Sequence, residues 1–174
     1  MTMPSGKSAV PSLKRRQLQV IALVALIGAT IASVLAWRDA RQSGSDADTV
    51  VVYKRTTCNC CTKWVSHLKQ AGFRVEVRNE SDLGARQNAL GVPKPLRACH
   101  TAVVGGYLVE GHVPASDVRR LLSEQPQARG IAVPGMPIGS PGMEQDDRRD
   151  PYVTLLFQPD GQSTIFAEHG EAVE

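Results

Sequence analysis

The four cysteines of this 174-residue chain are confined to two places. Three of them fall within four residues, in the motif Cys-Asn-Cys-Cys at positions 58–61, and the fourth precedes a histidine at Cys99-His100. Thiolates are soft, nucleophilic ligands whose reactivity depends on their neighbours. This concentration therefore indicates either a soft-metal site or a thiol redox centre, and we expect the fold to bring position 99 close to the motif.

An uncharged apolar run of 19 residues, positions 18–36, lies well before the first cysteine. Its length is close to the roughly 20 residues that an α-helix needs to cross a bilayer. The three basic residues at 14–16 precede it, which favours a cytoplasmic N-terminus and export of the C-terminal part of the chain. The run is longer than the usual core of a signal peptide, which favours an uncleaved membrane anchor, but a signal peptide cleaved after Ala36 also fits.

The charge of the chain separates a basic tail from a nearly neutral remainder. Four of the 20 Lys and Arg residues lie in the first 17 positions, so 16 basic residues face 17 acidic ones elsewhere. With no interleaved aromatic and basic residues, this balance argues against a nucleic-acid partner. We predict a basic cytoplasmic tail (1–17), a signal or anchor helix (18–36), a polar linker (37–49) and one metal-binding domain (50–169).

Apolar periodicity predicts an α/β domain after the linker. The expected order is a strand (50–53), the cysteine turn, a helix ending before Gly72, a strand (73–77), a short helix ending near Gly91, two strands around Gly105-Gly106 (101–104 and 107–110) and a helix opened by Pro114. The order β-α-β-α-β-β-α is that of the thioredoxin fold, in which the turn after the first strand faces the loop that enters the third. Cys99 and His100 should therefore meet the motif at one end of the sheet.

Two further segments complete the predicted domain. Residues 125–149 are rich in proline and glycine and are expected to form a loop without strand or helix. Residues 152–157 and 163–167 flank Asp160-Gly161 and are expected to form a closing β-hairpin.

The spacing of the cysteines leaves three chemistries to compare. Cys60 and Cys61 are adjacent, which argues against a framework of structural disulfides, since a vicinal pair closes only a strained ring. It also argues against zinc, whose ligands normally stand two to four residues apart, although a structural zinc site stays a lesser alternative. Several Cu(I) ions bridged by sulfur would use all of the cysteines.

A thiol-disulfide oxidoreductase is the main alternative. Cys58 and Cys61 form a Cys-x-x-Cys pair in or just before the first turn of the predicted helix, where free N–H groups and the helix dipole favour thiolate. Cys60 and Cys99 argue against it, because they would trap the mixed disulfide that turnover must release.

Three linked motifs resemble one bacterial family, the copper-resistance proteins called CopG. They are the CxCC motif, the stretch from Cys99-His100 to His112-Val-Pro114, and the loop Val133-Pro-Gly-Met136 to Gly-Met143-Glu. The resemblance covers residues 50–167 and implies a periplasmic thioredoxin-like domain that binds a small Cu(I) cluster, with a part in copper redox or detoxification. The ligands it implies are Cys58, Cys60, Cys61 and Cys99. We therefore favour a Cu(I)-binding protein over an enzyme, with periplasmic copper-handling or electron-transfer proteins as partners.

The remaining candidate ligands are histidines and methionines. His100 is expected to bind copper or to hydrogen-bond a thiolate, and the position of His112 depends on the fold. Met136 and Met143 could supply thioether ligands from a loop folded over the site, although filling apolar gaps is the favoured role. His67 and His169 are expected at the surface.

Overall fold

The protein is described here from a computed structural model, for residues 17–21, 23–33 and 49–170. It divides into two units, Met1–Gly44 and Ser45–Glu174. In the first unit, residues 17–21 and 23–33 are helical. Among the described residues, no helix is both long and apolar enough to cross a membrane. Residues 1–16 of the predicted tail (1–17), 37–48 of the predicted linker (37–49), and 22 and 34–36 of the predicted signal or anchor lie outside the described residues.

The second unit is an α/β domain with one mixed sheet of seven strands. Its elements are β1 (Thr49–Lys54), α1 (Asn59–Gln70), β2 (Arg74–Asn79), α2 (Leu83–Leu90), a 3₁₀ turn (Lys94–Leu96), β3 (His100–Val104), β4 (Tyr107–Glu110), α3 (Ala115–Glu124), β5 (Gly130–Ala132), β6 (Tyr152–Phe157) and β7 (Ser163–His169). The strand order is β2-β1-β3-β4-β5-β6-β7. The predicted order of the first seven elements is confirmed.

Strand β1 lies between β2 and β3 and fixes the position of both cysteine-bearing segments. It pairs in parallel with β2 and antiparallel with β3. Val50 and Val52 are fully buried, as expected for an apolar strand inside a covered sheet. In the antiparallel register Lys54 lies opposite His100. The last residue of β1 and the first residue of β3 therefore lie side by side at one end of the sheet, as the sequence predicted.

Helix α1 joins the cysteine motif to the main core. Its apolar stripe buries Trp64, Val65 and Leu68 in one cluster with residues of β1, β3, β4 and α3. The indole Nε1 of Trp64 donates a hydrogen bond to the carbonyl oxygen of Val113 at 2.8 Å. These contacts fix the position of α1, which carries the cysteine motif at its N-terminus.

The segment after α3 differs from its prediction in one respect. Residues 130–132, expected to be loop, form strand β5, which pairs in parallel with β4 and antiparallel with β6. Gly130 allows this pairing, because a Cβ there would lie 2.0 Å from the carbonyl oxygen of Leu108. Strand β5 connects the closing hairpin of β6 and β7, which was predicted, to the central sheet.

We predict that Trp64→Phe lowers the free energy of unfolding by about 1–3 kcal/mol, since it leaves the buried carbonyl of Val113 without its donor. Tyr107→Phe is the matched control, because it removes a donor to the carbonyl of Pro126 from a half-buried position. We expect the control to lose about 1 kcal/mol or less. Urea unfolding of both variants measures the difference, and equal losses would contradict the role given to Trp64.

Candidate metal centre

Four cysteine sulfurs converge where β1 leads into α1 and where the chain enters β3. The ligand atoms of Cys58, Cys60, Cys61 and Cys99 all lie within 4.8 Å of one another. Sγ of Cys60 is 3.5 Å from that of Cys58 and 3.9 Å from that of Cys99. Position 99 therefore meets the motif, as predicted, and the four sulfurs form one compact group.

Two of these sulfurs are covalently joined. A disulfide links Cys58 to Cys61, and Cys60 and Cys99 are free thiols. Cys58 is the N-cap of α1, and its sulfur accepts a hydrogen bond from the backbone N–H of Cys61. The pair thus stands at the helix N-terminus, where backbone N–H groups and the helix dipole favour thiolate once the bond is reduced.

Cys99 is half-buried, like Cys58 and Cys60. Burial raises the pKa of its thiol to about 12, and the neighbouring Cys60 contributes to this rise. A soft metal ion would reverse this balance, because its positive charge favours the thiolate. The geometry therefore suits a thiol that ionises when metal arrives.

Two buried histidines contact Cys99. Nδ1 of His100 lies 3.4 Å from its sulfur and Nε2 of His112 lies 3.3 Å away. Burial lowers the pKa of both, in His100 to about 3, so both rings are neutral at neutral pH. The three side chains form a second group with metal-ligating geometry. In the part of the chain that the structure describes, Nε2 of His100 is the one buried side-chain nitrogen or oxygen without a hydrogen-bond partner.

The sequence analysis did not identify one buried carboxyl group near Cys99, that of Glu110. Oε1 of Glu110 accepts hydrogen bonds at 2.7 Å from the backbone N–H of Ala98 and from the amide of Gln87. Its Oε2 accepts one from the hydroxyl of Thr101 at 2.6 Å. These contacts hold the residues on both sides of Cys99 and so fix its position. The only sequence signal for this role was an acidic residue at the C-terminal end of an otherwise apolar strand, Tyr107–Glu110.

The proline- and glycine-rich loop folds over the N-terminal turn of α1. The carbonyl of Pro141 is 2.8 Å from Nδ1 of His112. A Cβ on Gly142 would lie 2.7 Å from the carbonyl oxygen of Cys60 and 2.9 Å from the backbone nitrogen of Trp64. The loop therefore closes one side of the cysteine cluster by backbone contact.

The other candidate residues occupy different settings. Met136 is 55% exposed, and Met143 is half-buried directly after the close approach at Gly142. The surface positions expected for two histidines are wrong. His67 is half-buried and its Nε2 accepts a hydrogen bond from the backbone N–H of Ala115. His169 lies 2.8 Å from Oδ2 of the buried Asp117.

Comparison with known proteins agrees with this site. A family model described as "Protein of unknown function, DUF411" matches residues 96–143. Two solved structures, described as "Copper resistance protein copG- Form 2" and "Copper resistance protein copG- Form 1", are 43% identical to this chain with TM-scores of 0.67. They cover 70% and 71% of this chain, which in turn covers 98% of each of them. This chain belongs to the CopG copper-resistance family. No curated protein matches it.

We predict that Glu110 makes the stability of this CopG-family domain depend on pH. Burial raises the pKa of its carboxyl from 4.5 to about 7, so the folded protein keeps a proton that the unfolded chain loses. The stability it contributes is present below pH 4.5 and is lost as pH rises through 7. The difference between wild type and Glu110→Gln should change by about 3 kcal/mol across this range.

Urea unfolding at pH 4.5 and 8 measures this difference. The control is Glu76→Gln, which alters a carboxyl that is 60% exposed on β2, and we compare its difference from wild type at the same two pH values. A difference for Glu110→Gln that changes no more than that of the control would refute the buried, protonated carboxyl.

We predict that Gly142→Ala forces the covering loop away from α1, since its Cβ would collide with the backbone of Cys60 and Trp64. Alkylation of the Cys60 thiol should then be several times faster than in wild type. Gly135→Ala is the matched control: it lies in the same loop, also has positive φ, and has nothing within 4 Å of the added Cβ. Equal alkylation rates in the two variants would contradict the closed loop.

Proposed function

We propose that this chain is an extracytoplasmic Cu(I)-binding protein of copper resistance that holds more than one ion between bridging cysteine sulfurs. The observation that carries the proposal is the convergence of Cys58, Cys60, Cys61 and Cys99 within 4.8 Å. The family supports the metal, since the similar structures carry the name of a copper resistance protein. The partners that fit this function are periplasmic proteins that handle copper or transfer electrons.

The donor set supports Cu(I) over other ions. Cu(I) is soft and is selected by thiolate ligands, and adjacent cysteines can each bind a different ion of a cluster. Zinc would instead need four ligands in a tetrahedron around one ion, which adjacent Cys60 and Cys61 do not readily supply. Neutral His100 and His112 lie within 3.4 Å of Cys99 Sγ and would bind an ion or orient that sulfur.

We further propose that the domain is thioredoxin-like and is exported. The sheet order β2-β1-β3-β4, with β1 parallel to β2 and antiparallel to β3, supports this relationship. Support for export is the apolar run 18–36 behind basic residues, as a cleaved signal or a retained anchor.

A second candidate function is thiol-disulfide exchange by Cys58 and Cys61. The observation that favours it is the disulfide between them at the N-terminus of α1, the setting of redox-active dithiols. The free thiols of Cys60 and Cys99, 3.5 and 3.9 Å from their nearest sulfur neighbours, disfavour it as the main function because each can capture an intermediate.

We predict that the fully reduced chain binds more than one Cu(I), in anaerobic competition with a chromophoric Cu(I) chelator and by native mass spectrometry. Cys60→Ser and Cys99→Ser should each lower the copper count by at least one ion, because each removes a bridging sulfur. Ser66→Ala, an exposed change on the same helix, is the control and should leave the count unchanged.

Loss of all copper to the chelator would end the copper proposal. If Cys58 and Cys61 then still cycled with a dithiol protein in the Cys60→Ser variant, thiol-disulfide exchange would take its place as the function.

A further inference from the structure

The disulfide divides the four sulfurs into two classes. While Cys58 and Cys61 are joined, only Cys60 and Cys99 can become thiolates, and their sulfurs are 3.9 Å apart. The thiolate is the form of cysteine that binds metal. Two thiolates suffice for one Cu(I), whereas several bridged ions are favoured by a larger number of thiolates. The redox state of one bond therefore sets how much copper the centre can hold.

The bond can be approached from the surface at Cys58, which lines a groove. A groove of about 380 Å³ is bordered by Cys58 and Cys99, with Arg55, Thr57, Leu83 and Gln87 among its other walls. Cys61 is fully buried and does not line the groove. Since exchange requires direct approach to the sulfur that is attacked, an incoming thiol reaches Cys58 and expels Cys61.

The position of Cys60 determines which kind of thiol completes the reaction. After attack, Cys58 would carry the donor in a mixed disulfide with Cys60 Sγ 3.5 Å away. Cys60 can then displace the donor and form a Cys58–Cys60 disulfide, which closes the centre again. A donor with a second thiol in the same molecule competes with Cys60, because its own attack is also intramolecular.

We propose that the copper centre is gated by the Cys58–Cys61 disulfide, and that a dithiol protein opens the gate by attacking Cys58 through the groove. This inference rests on the proposed copper function. The first donor thiolate forms a bond to Cys58 Sγ while the Cys58–Cys61 bond breaks and Cys61 leaves as a thiolate. The second donor thiolate then attacks the donor sulfur of the mixed disulfide and releases Cys58. Two electrons pass to the chain, and the donor becomes a disulfide.

The gate is tested by counting copper on the full chain in two redox states. Native mass spectrometry after anaerobic Cu(I) loading should show at most one ion on the oxidised chain and more than one after reduction by dithiothreitol and its removal. Equal counts of more than one ion would overturn the gate and leave the copper function standing, and equal counts of one would overturn both the gate and the cluster. No copper on the reduced chain would overturn both the gate and the copper function.

The point of attack is tested with single cysteines. In a Cys60→Ser/Cys99→Ser background, adding Cys61→Ser leaves only Cys58, and adding Cys58→Ser leaves only Cys61. With oxidised glutathione as the probe, the chain that keeps Cys58 should form the mixed disulfide at least about tenfold faster, because Cys61 is buried. Equal rates in folded variants would overturn entry at Cys58.

A groove variant tests the same route with all four cysteines in place. Thr57→Tyr puts a large side chain on the groove wall, and Thr56→Tyr puts it on the preceding residue, which is exposed and not on that wall. Reduction of the disulfide by reduced thioredoxin, used as a dithiol protein, should be several times slower in Thr57→Tyr only. Equal rates would show that the donor arrives elsewhere.

The preference for a dithiol has its own readout. Peptide mapping after limited reaction with reduced glutathione, a monothiol, should reveal a Cys58–Cys60 disulfide, whereas dithiothreitol should give four free thiols. Complete opening by glutathione without that intermediate would overturn the requirement for a dithiol.

Discussion

The antiparallel pairing of β1 with β3 is the contact on which the candidate metal centre depends. Because Lys54 lies opposite His100, the chain leaves β1 and enters β3 at the same point of the sheet. The cysteine motif and Cys99 are then neighbours although about forty residues separate them. A shift of one residue in this register would turn every side chain of the strand to the opposite face, so the apolar alternation that buries Val50 and Val52 also holds the sulfurs together.

Hydrogen bonds hold the residues around that contact in place. Glu110 binds the chain on both sides of Cys99, and Trp64 connects the cysteine helix to Val113. The covering loop reaches His112 through the carbonyl of Pro141. Ligands held by such neighbours keep their geometry when an ion enters, which favours one metal arrangement over another.

The sequence predicted the elements that carry strong periodicity and the meeting of the two cysteine segments. It could not predict contacts that depend on distant chain segments. Strand β5 is only three residues long and forms because β4 and β6 pair with it on either side. The role of Glu110 depends on a hydrogen bond from Gln87 of α2, which lies far away in the sequence. Cysteine spacing alone likewise does not determine which two of the four neighbouring sulfurs form the disulfide.

The covering loop has a consequence for traffic at the centre. Gly142 lies against the backbone of Cys60, whereas Cys58 and Cys99 border a groove whose lining includes no residue of this loop. On the function proposed above, a dithiol protein and a copper-handling protein would both approach the sulfurs at this groove. The two proteins could not bind at the same time, so an excess of either one would competitively inhibit binding of the other.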